Sequence, residues 1–516
     1  MDLFHAGTTY QLLCAIVYQQ RKAHPGMLLV SRWIADKYPN LKLLEAYFER
    51  VTPCDFKFGF DHPNEMTERY LLEITGDLKQ YDEIYLWAPQ YSLGMYMAEK
   101  KLPFVYCEEA AGILSRPEIL ETIVQRIDPK VYSHNRELGL YSGRVDCVTK
   151  RMCNVRAQAE GFKQTEDILD FDVVEEMMKL PEQTLRNIIS FFIPDQRIHV
   201  DTDAVFLLTQ HFSHLKTMEF EEHALVYQLV ADYFFPGRKL VFKPHPDDVM
   251  YYTKLFGDAQ VIRERFPSEF MPFILDNQPQ CVATISSTSI YNLRGHYPQV
   301  FELDTRYEKD FLMTHRYDAA VRLAQRLGLD IACIGANDVL ARRLCETMGD
   351  GAPAVLPVDQ TDDPCLYLVD DMTESGEAGR REILNRLLAL DNRSCVVFIN
   401  SREDYCWYSY EHKDLWAHII PVALKKSAIR EQNEDFYAPM EDEVLYAYSK
   451  NEELLTMIRE TDMRKDLPHV GICVEKETMT PEQEKIRMLE GILAATEKRL
   501  LYYIEQEKEQ SREQLE

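Results

Sequence analysis

A chain of 516 residues, 46% hydrophobic, has material for several cores, and its formal charge of −27 weighs against coating nucleic acid or adhering broadly to an anionic membrane. Its twelve cysteines include no CxxC pair and fit neither a zinc knuckle nor a disulfide framework, so a reducing, cytoplasmic setting is expected. No run of about 20 apolar residues is present and the opening stretch has no basic n-region, so neither a membrane span nor a signal peptide is expected.

Short apolar runs at 2–5, 27–30, 83–88, 104–107 and 130–133 read as strands, with helical periodicity at 9–22 and 64–79. Such alternation predicts parallel βαβ units. Residues 160–200 read as a mostly helical, polar connector. A second α/β set follows, with strands at 204–210, 239–243, 259–262, 281–286 and 299–303 and a helix at 219–234. The expected fold is α/β of GT-B type: two Rossmann-like domains facing a cleft, over 1–195 and 196–320. GT-B serves glycosyltransferases, sugar-nucleotide epimerases and polyol-phosphate transferases alike, so architecture alone does not give the activity.

From residue 321 the pattern restarts. "LDIACIGANDVLARRLCETMG" reads as strand, turn and helix, with Asn337 or Asp338 at the N-cap, and "AVLPV", "CLYLVDD" and "SCVVFIN" read as strands. A small α/β domain is expected over 321–425; its single "GAND" falls far short of GxGxxG. The aromatic run 402–421 suits packing at a domain interface. Residues 426–516 read as mainly helical. Ile486, Leu489, Leu493, Leu500 and Ile504 form an apolar seam that Thr496 interrupts, which suits docking or a homodimer contact.

Three motifs each follow an expected strand. "YCEEAAG" puts Glu108 and Glu109 just beyond "PFVYC". "LVFKPHPDD" wedges His245 between two prolines, which fix φ and remove backbone donors, so the chain leaves the strand as a stiff turn. "ISSTS" places Ser286, Ser287 and Thr288 after "CVAT", where hydroxyls can cradle a phosphate. Carboxyl ends of strands are where open α/β sheets bind ligands. Taken singly, a glutamate pair is ordinarily a solvated surface feature and a serine run ordinarily an N-cap.

In this order the motifs resemble the bacterial sialyltransferases of glycosyltransferase family 52 and the bacterial polysialyltransferases, which carry an acidic motif, an HP motif and a paired-serine motif. The opening "HAGTTYQLL" and "FPSEF" (266–270) are also similar to those families, and the resemblance covers about residues 1–305. One position departs: Ala110 stands where the family has glycine, and if that glycine supplies a positive φ the turn is re-aimed.

The resemblance implies inverting, metal-independent transfer of sialic acid, or a related nonulosonic acid, from a CMP-activated donor to a glycan hydroxyl. Glu108 would be the general base, with Glu109 beside it, and His245 the general acid on the departing phosphate. Ser286, Ser287, Thr288, Lys243, Pro246, Thr8 and Gln210 would bind the donor. No cofactor or metal is expected, and Asp247-Asp248 reads as a helix N-cap. The acceptor would be a surface glycan, capsular or lipooligosaccharide, free or lipid-linked, which leaves room for peripheral contact with the inner membrane face. Two alternatives stay open: a CDP-polyol phosphotransferase of teichoic-acid type, and a non-catalytic scaffold of glycan assembly.

Overall fold

The computed structural model describes residues 1–461 except 39, 55–64, 194–196, 214, 216, 249, 251, 304–307, 359–363, 371–388, 390–392, 400–415 and 420–444. Its first sheet holds β1 (Leu3–Ala6), β2 (Met27–Ser31), β3 (Arg50–Cys54), β4 (Ile84–Trp87), β5 (Phe104–Cys107), β6 (Val148–Cys153) and β7 (Ile168–Asp170). Strand order is β3-β2-β1-β4-β5-β6-β7, and every pairing is parallel. The second sheet holds β8 (Val205–Leu208), β9 (Leu240–Lys243), β10 (Gln260–Val261), β11 (Cys281–Thr284) and β12 (Gln299–Glu302) in the order β10-β9-β8-β11-β12, again all parallel. These are two Rossmann-like α/β domains in series, the GT-B arrangement. β1, β4, β5, β8, β9 and β11 are buried along their whole length, which is why they read as unbroken apolar runs instead of alternating ones.

In both sheets the strand order reverses, between β1 and β4 and between β8 and β11. The turns that leave those strands form the switch points where such sheets take ligands. One apolar core runs through both halves, with Phe4, Leu28 and Val105 from the first sheet and Phe206, Val241 and Val282 from the second. Phe192 and Phe270 meet within it, their rings 5.3 Å apart. Truncating either ring to alanine would cost roughly 3–5 kcal/mol.

A third sheet, mixed, holds β13 (Asp330–Ile334), β14 (Val355–Leu356), β15 (Cys365–Val369), β16 (Cys395–Phe398), β17 (Trp416–Ile419) and β18 (Leu445–Ser449). Its order is β14-β13-β15-β16-β18-β17, with β18 antiparallel to both neighbours. Asn337 caps the helix Asp338–Met348, its side chain accepting from the Leu340 amide at 3.0 Å. All three sheets belong to one compact unit, Met1–Leu424 with Pro439–Val470; the second unit, 425–438 with 471–516, falls outside the described residues. So do the aromatic run 402–421, apart from β17, and the apolar seam from Ile486 to Ile504.

Two expectations are corrected. Residues 130–133 are not a strand but part of the helix Pro129–Leu138. Asp128 caps it, accepting from the amides of Lys130 and Val131 at 2.9 and 3.1 Å; Pro129 stands at its first turn and Gly139, at φ 77°, ends it. These start and stop signals outweigh the short apolar alternation of "KVYS". The stretch 160–200 is not mostly helical: it contains β7 and two separate helices, Val173–Met178 and Glu182–Phe192, with Pro181 at the N-cap of the second. β6 escaped the reading because its first residues, "VTKR", are polar and only its end, Met152 and Cys153, is buried.

Candidate functional site

The first half contributes the turns after β1, β4, β5 and β6. Thr8 and Gln11 form a capping box on the helix Thr9–Gln19, the Thr8 oxygen accepting from the Gln11 amide at 3.3 Å and the Gln11 oxygen from the Thr8 amide at 3.2 Å. The Gln11 carboxamide then donates to the Glu109 carbonyl at 3.4 Å, which ties the opening turn to the acidic motif.

The two glutamates occupy different surroundings. Glu108 is 4% exposed. Its Oε1 accepts from the Asn154 amide at 2.7 Å, and its Oε2 from the Gly112 amide at 3.1 Å and the Gln158 carboxamide at 2.9 Å. Glu109 is half-buried, and accepts from the Gln90 carboxamide at 3.0 Å and the Tyr91 hydroxyl at 3.3 Å. Burial pushes both carboxyls up to about 7, against the hydrogen bonds that favour their charged forms. Ala110 does not take a positive φ; Gly112 does, at 80°. A Cβ on Gly112 would lie 2.6 Å from the Ala157 carbonyl oxygen, so the glycine that this turn requires is at 112.

The second half contributes the turns after β8, β9 and β11. The His245 amide donates to Thr209 Oγ1 at 3.3 Å, and that hydroxyl donates to Asp248 at 2.5 Å. Asp248 also accepts from the Tyr252 hydroxyl at 2.7 Å and the Met250 amide at 3.0 Å, so it braces the loop and caps no helix; the expected N-cap at Asp247-Asp248 is corrected on this point. The Asp247 amide donates to His245 Nδ1 at 3.2 Å, which leaves the hydrogen of the neutral ring on Nε2. His211 stacks on His245, ring centroids 3.9 Å apart and planes 19° apart. Gln210 Oε1 accepts from His211 Nδ1 at 2.6 Å, so Gln210 orients this second imidazole. Pro246, Ser286, Ser287 and Thr288 are half-buried, and the Ser287 amide donates to Thr284 Oγ1 at 2.9 Å. Lys243 is 6% exposed, with its ammonium 4.6 Å from the centre of the Phe266 ring. Burial lowers it to about 8, with Glu269 opposing and Lys37 reinforcing the shift.

A buried polar path joins the halves. Asn154, whose backbone holds Glu108, donates from its side chain to Asn292 Oδ1 at 2.9 Å; Asn292 donates to Glu269 at 2.9 Å; and Glu269, 1% exposed, feels the charge of Lys243. Lys37, from the helix Arg32–Lys37, donates to Thr9 Oγ1 at 3.2 Å and feels Arg265 and Asp247 of the second half. Thus the acidic motif, the Thr8 turn and the HP turn share one polar neighbourhood.

Sequence reasoning passed over Asn154, Asn292, Lys37 and His211. His211 had a signal, since it stands in the turn after β8 much as His245 stands in the turn after β9. Asn154 had none once β6 was missed.

No protein-family model and no curated protein sequence matches this chain. Among solved structures, the chain is similar to UDP-GlcNAc 2-epimerase from Neisseria meningitidis, at 14% identity and a TM-score of 0.37, over 61% of this chain and 86% of that one. It is similar to an α/β-galactoside α-2,3-sialyltransferase from Photobacterium phosphoreum, at 12% identity and 0.39, over 69% and 97%. The GT-B domain of a sialyltransferase from Photobacterium damselae gives 11% and 0.33, over 69% and 100%. The strand order of the two parallel sheets, not these likenesses, establishes the fold.

Proposed function

We propose that this chain is a glycosyltransferase that moves a nonulosonic acid from a CMP-activated donor to a glycan hydroxyl by a single inverting displacement. The observation that supports the reading is that three groups stand at the carboxyl ends of strands in two Rossmann-like sheets that share one core. These are a glutamate pair with raised carboxyls after β5, an imidazole on a double-proline turn after β9, and hydroxyls after β11.

A sugar hydroxyl is a poor nucleophile, and a carboxylate poised near neutral pH removes its proton as the bond to the anomeric carbon forms. The resemblance assigns this role to Glu108. Glu108, however, accepts three hydrogens and is 4% exposed, whereas Glu109 accepts two and is half-buried, the more open of the pair. We assign the base to Glu109 and the shaping of its turn to Glu108. His245, with its hydrogen on Nε2, donates to the departing phosphate, and Ser286 and Ser287 supply further donors. Lys243 adds positive charge near that end of the sheet. A monophosphate leaving group can be held by these donors alone.

Calorimetric titration with CMP, CDP, UMP and UDP in EDTA tests the donor class. CMP-selective binding that weakens at least tenfold in Ser286→Ala supports the reading. A preference for CDP would replace it with polyol-phosphate transfer, and no nucleotide binding would replace it with a scaffold.

A further inference from the structure

His211 and the Asp247 carboxylate stand in the donor-side turn, yet the proposed transfer uses neither. One ring nitrogen of His211, one of His245 and one carboxylate oxygen of Asp247 all lie within 4.8 Å of one another, and all three residues are half-buried. We propose that His211, His245 and Asp247 form a binding site for a divalent transition-metal ion of the Zn2+ class.

The ligand chemistry selects the ion. Two imidazoles and one carboxylate suit Zn2+, Ni2+ or Cu2+, whereas Mg2+ and Ca2+ take oxygen ligands. The surroundings of His211 match what a ligating histidine requires. Such a ring gives its other N–H to a carbonyl or carboxylate oxygen, which fixes tautomer and orientation. Gln210 Oε1 accepts from His211 Nδ1 at 2.6 Å, which presents Nε2 for ligation.

The scaffold beneath is also held. Thr209 Oγ1 accepts from the His245 amide while donating to Asp248, and Asp248 takes the Tyr252 hydroxyl as well. Asp247 is therefore the acid of the pair left facing the rings, its Oδ2 3.9 Å from His245 Nδ1. An ion shared by both imidazoles lies in the plane of each. The stack must accordingly splay from its present 19°, and the half-exposure of both rings allows this without disturbing the core. One consequence rests on the transfer reading above: an ion on His245 withdraws it from the donor phosphate, so Zn2+ inhibits.

The test is a cobalt titration of the full chain, stripped with EDTA and free of nucleotide. The expected result is one Co2+ per chain with visible d–d absorption and no near-ultraviolet thiolate band, displaced by Zn2+. Affinity should fall at least about tenfold in both His211→Ala and Asp247→Asn. No such ion, a thiolate-bound ion, or unchanged affinity in either variant overturns the site. Because nucleotide is absent, failure here leaves the CMP titration to decide the transfer reading separately.

Discussion

The side chains of Asn154 and Asn292 join the two halves, the first donating to the second at 2.9 Å. Asn292 is 1% exposed, and its carboxamide nitrogen donates in turn to Glu269 at 2.9 Å, which is equally buried. A partner lost here leaves an acceptor or donor unsatisfied in a dry interface, at a cost of about 1–3 kcal/mol. Asn292→Leu should therefore lower the unfolding free energy by that amount, read as a lower urea midpoint with m unchanged. Asn292→Asp should cost more, because it sets a second carboxylate against Glu269. Urea titrations of both variants check the order; equal midpoints would mean that the path is not stabilising.

Glu108 and Glu109 should separate by phenotype. Glu109→Gln removes the proposed base and should lower kcat by about 10²–10⁴-fold while nucleotide affinity stays unchanged. Glu108→Gln places an amide group against three N–H donors. Its first effect should be a stability loss of roughly 1–3 kcal/mol. Chemical denaturation alongside single-turnover transfer distinguishes them, and a reversed pattern would return the base to Glu108.

The same carboxyls give a pH signature of definite sign. Both are pushed up to about 7 by burial, from an ordinary carboxyl value of 4.5. Their contribution to stability is full below the unfolded value and is lost as pH rises through about 7. Activity runs the other way, since the base must be ionised, so kcat/KM should climb toward a plateau above about 7. Glu109→Gln should flatten that limb while leaving some residual rate. A profile whose limb survives in Glu109→Gln would show that another group titrates.

How far the sequence led depended on whether local signals and packing agreed. β5, β9 and β11 were legible because strands buried on both faces are continuous apolar runs ending in conspicuous residues. β6 was not, because a strand whose first half is polar and exposes Thr149 and Lys150 looks like a loop. With it went Asn154, the residue that ties Glu108 to the second half. Likewise, "KVYS" reads as a strand until Asp128, Pro129 and Gly139 are weighed as caps. Side-chain access was illegible in principle: Glu108 and Glu109 are adjacent and chemically identical, and only the placement of Asn154, Gly112 and Gln158 makes one a brace.

Ala110 stands where the families that the sequence resembles carry glycine, an exchange that would weaken a turn needing a positive φ there. The positive φ belongs to Gly112, whose added Cβ would meet the Ala157 oxygen at 2.6 Å and the Arg116 guanidinium at 2.7 Å. Arg116 also lies over the Tyr291 ring, 4.3 Å from its centre, so a shift there reaches the second half. Gly112→Ala should thus cost about 1–3 kcal/mol in strain and displaced contacts, and lower transfer with it. Ala110→Gly should change activity by less than about twofold, since no strain at 110 awaits relief, and should lose at most about 1 kcal/mol by loosening the unfolded chain. A large gain of activity in Ala110→Gly would mean that the turn is held in the wrong conformation for catalysis, and that Gly112 does not replace the family's glycine.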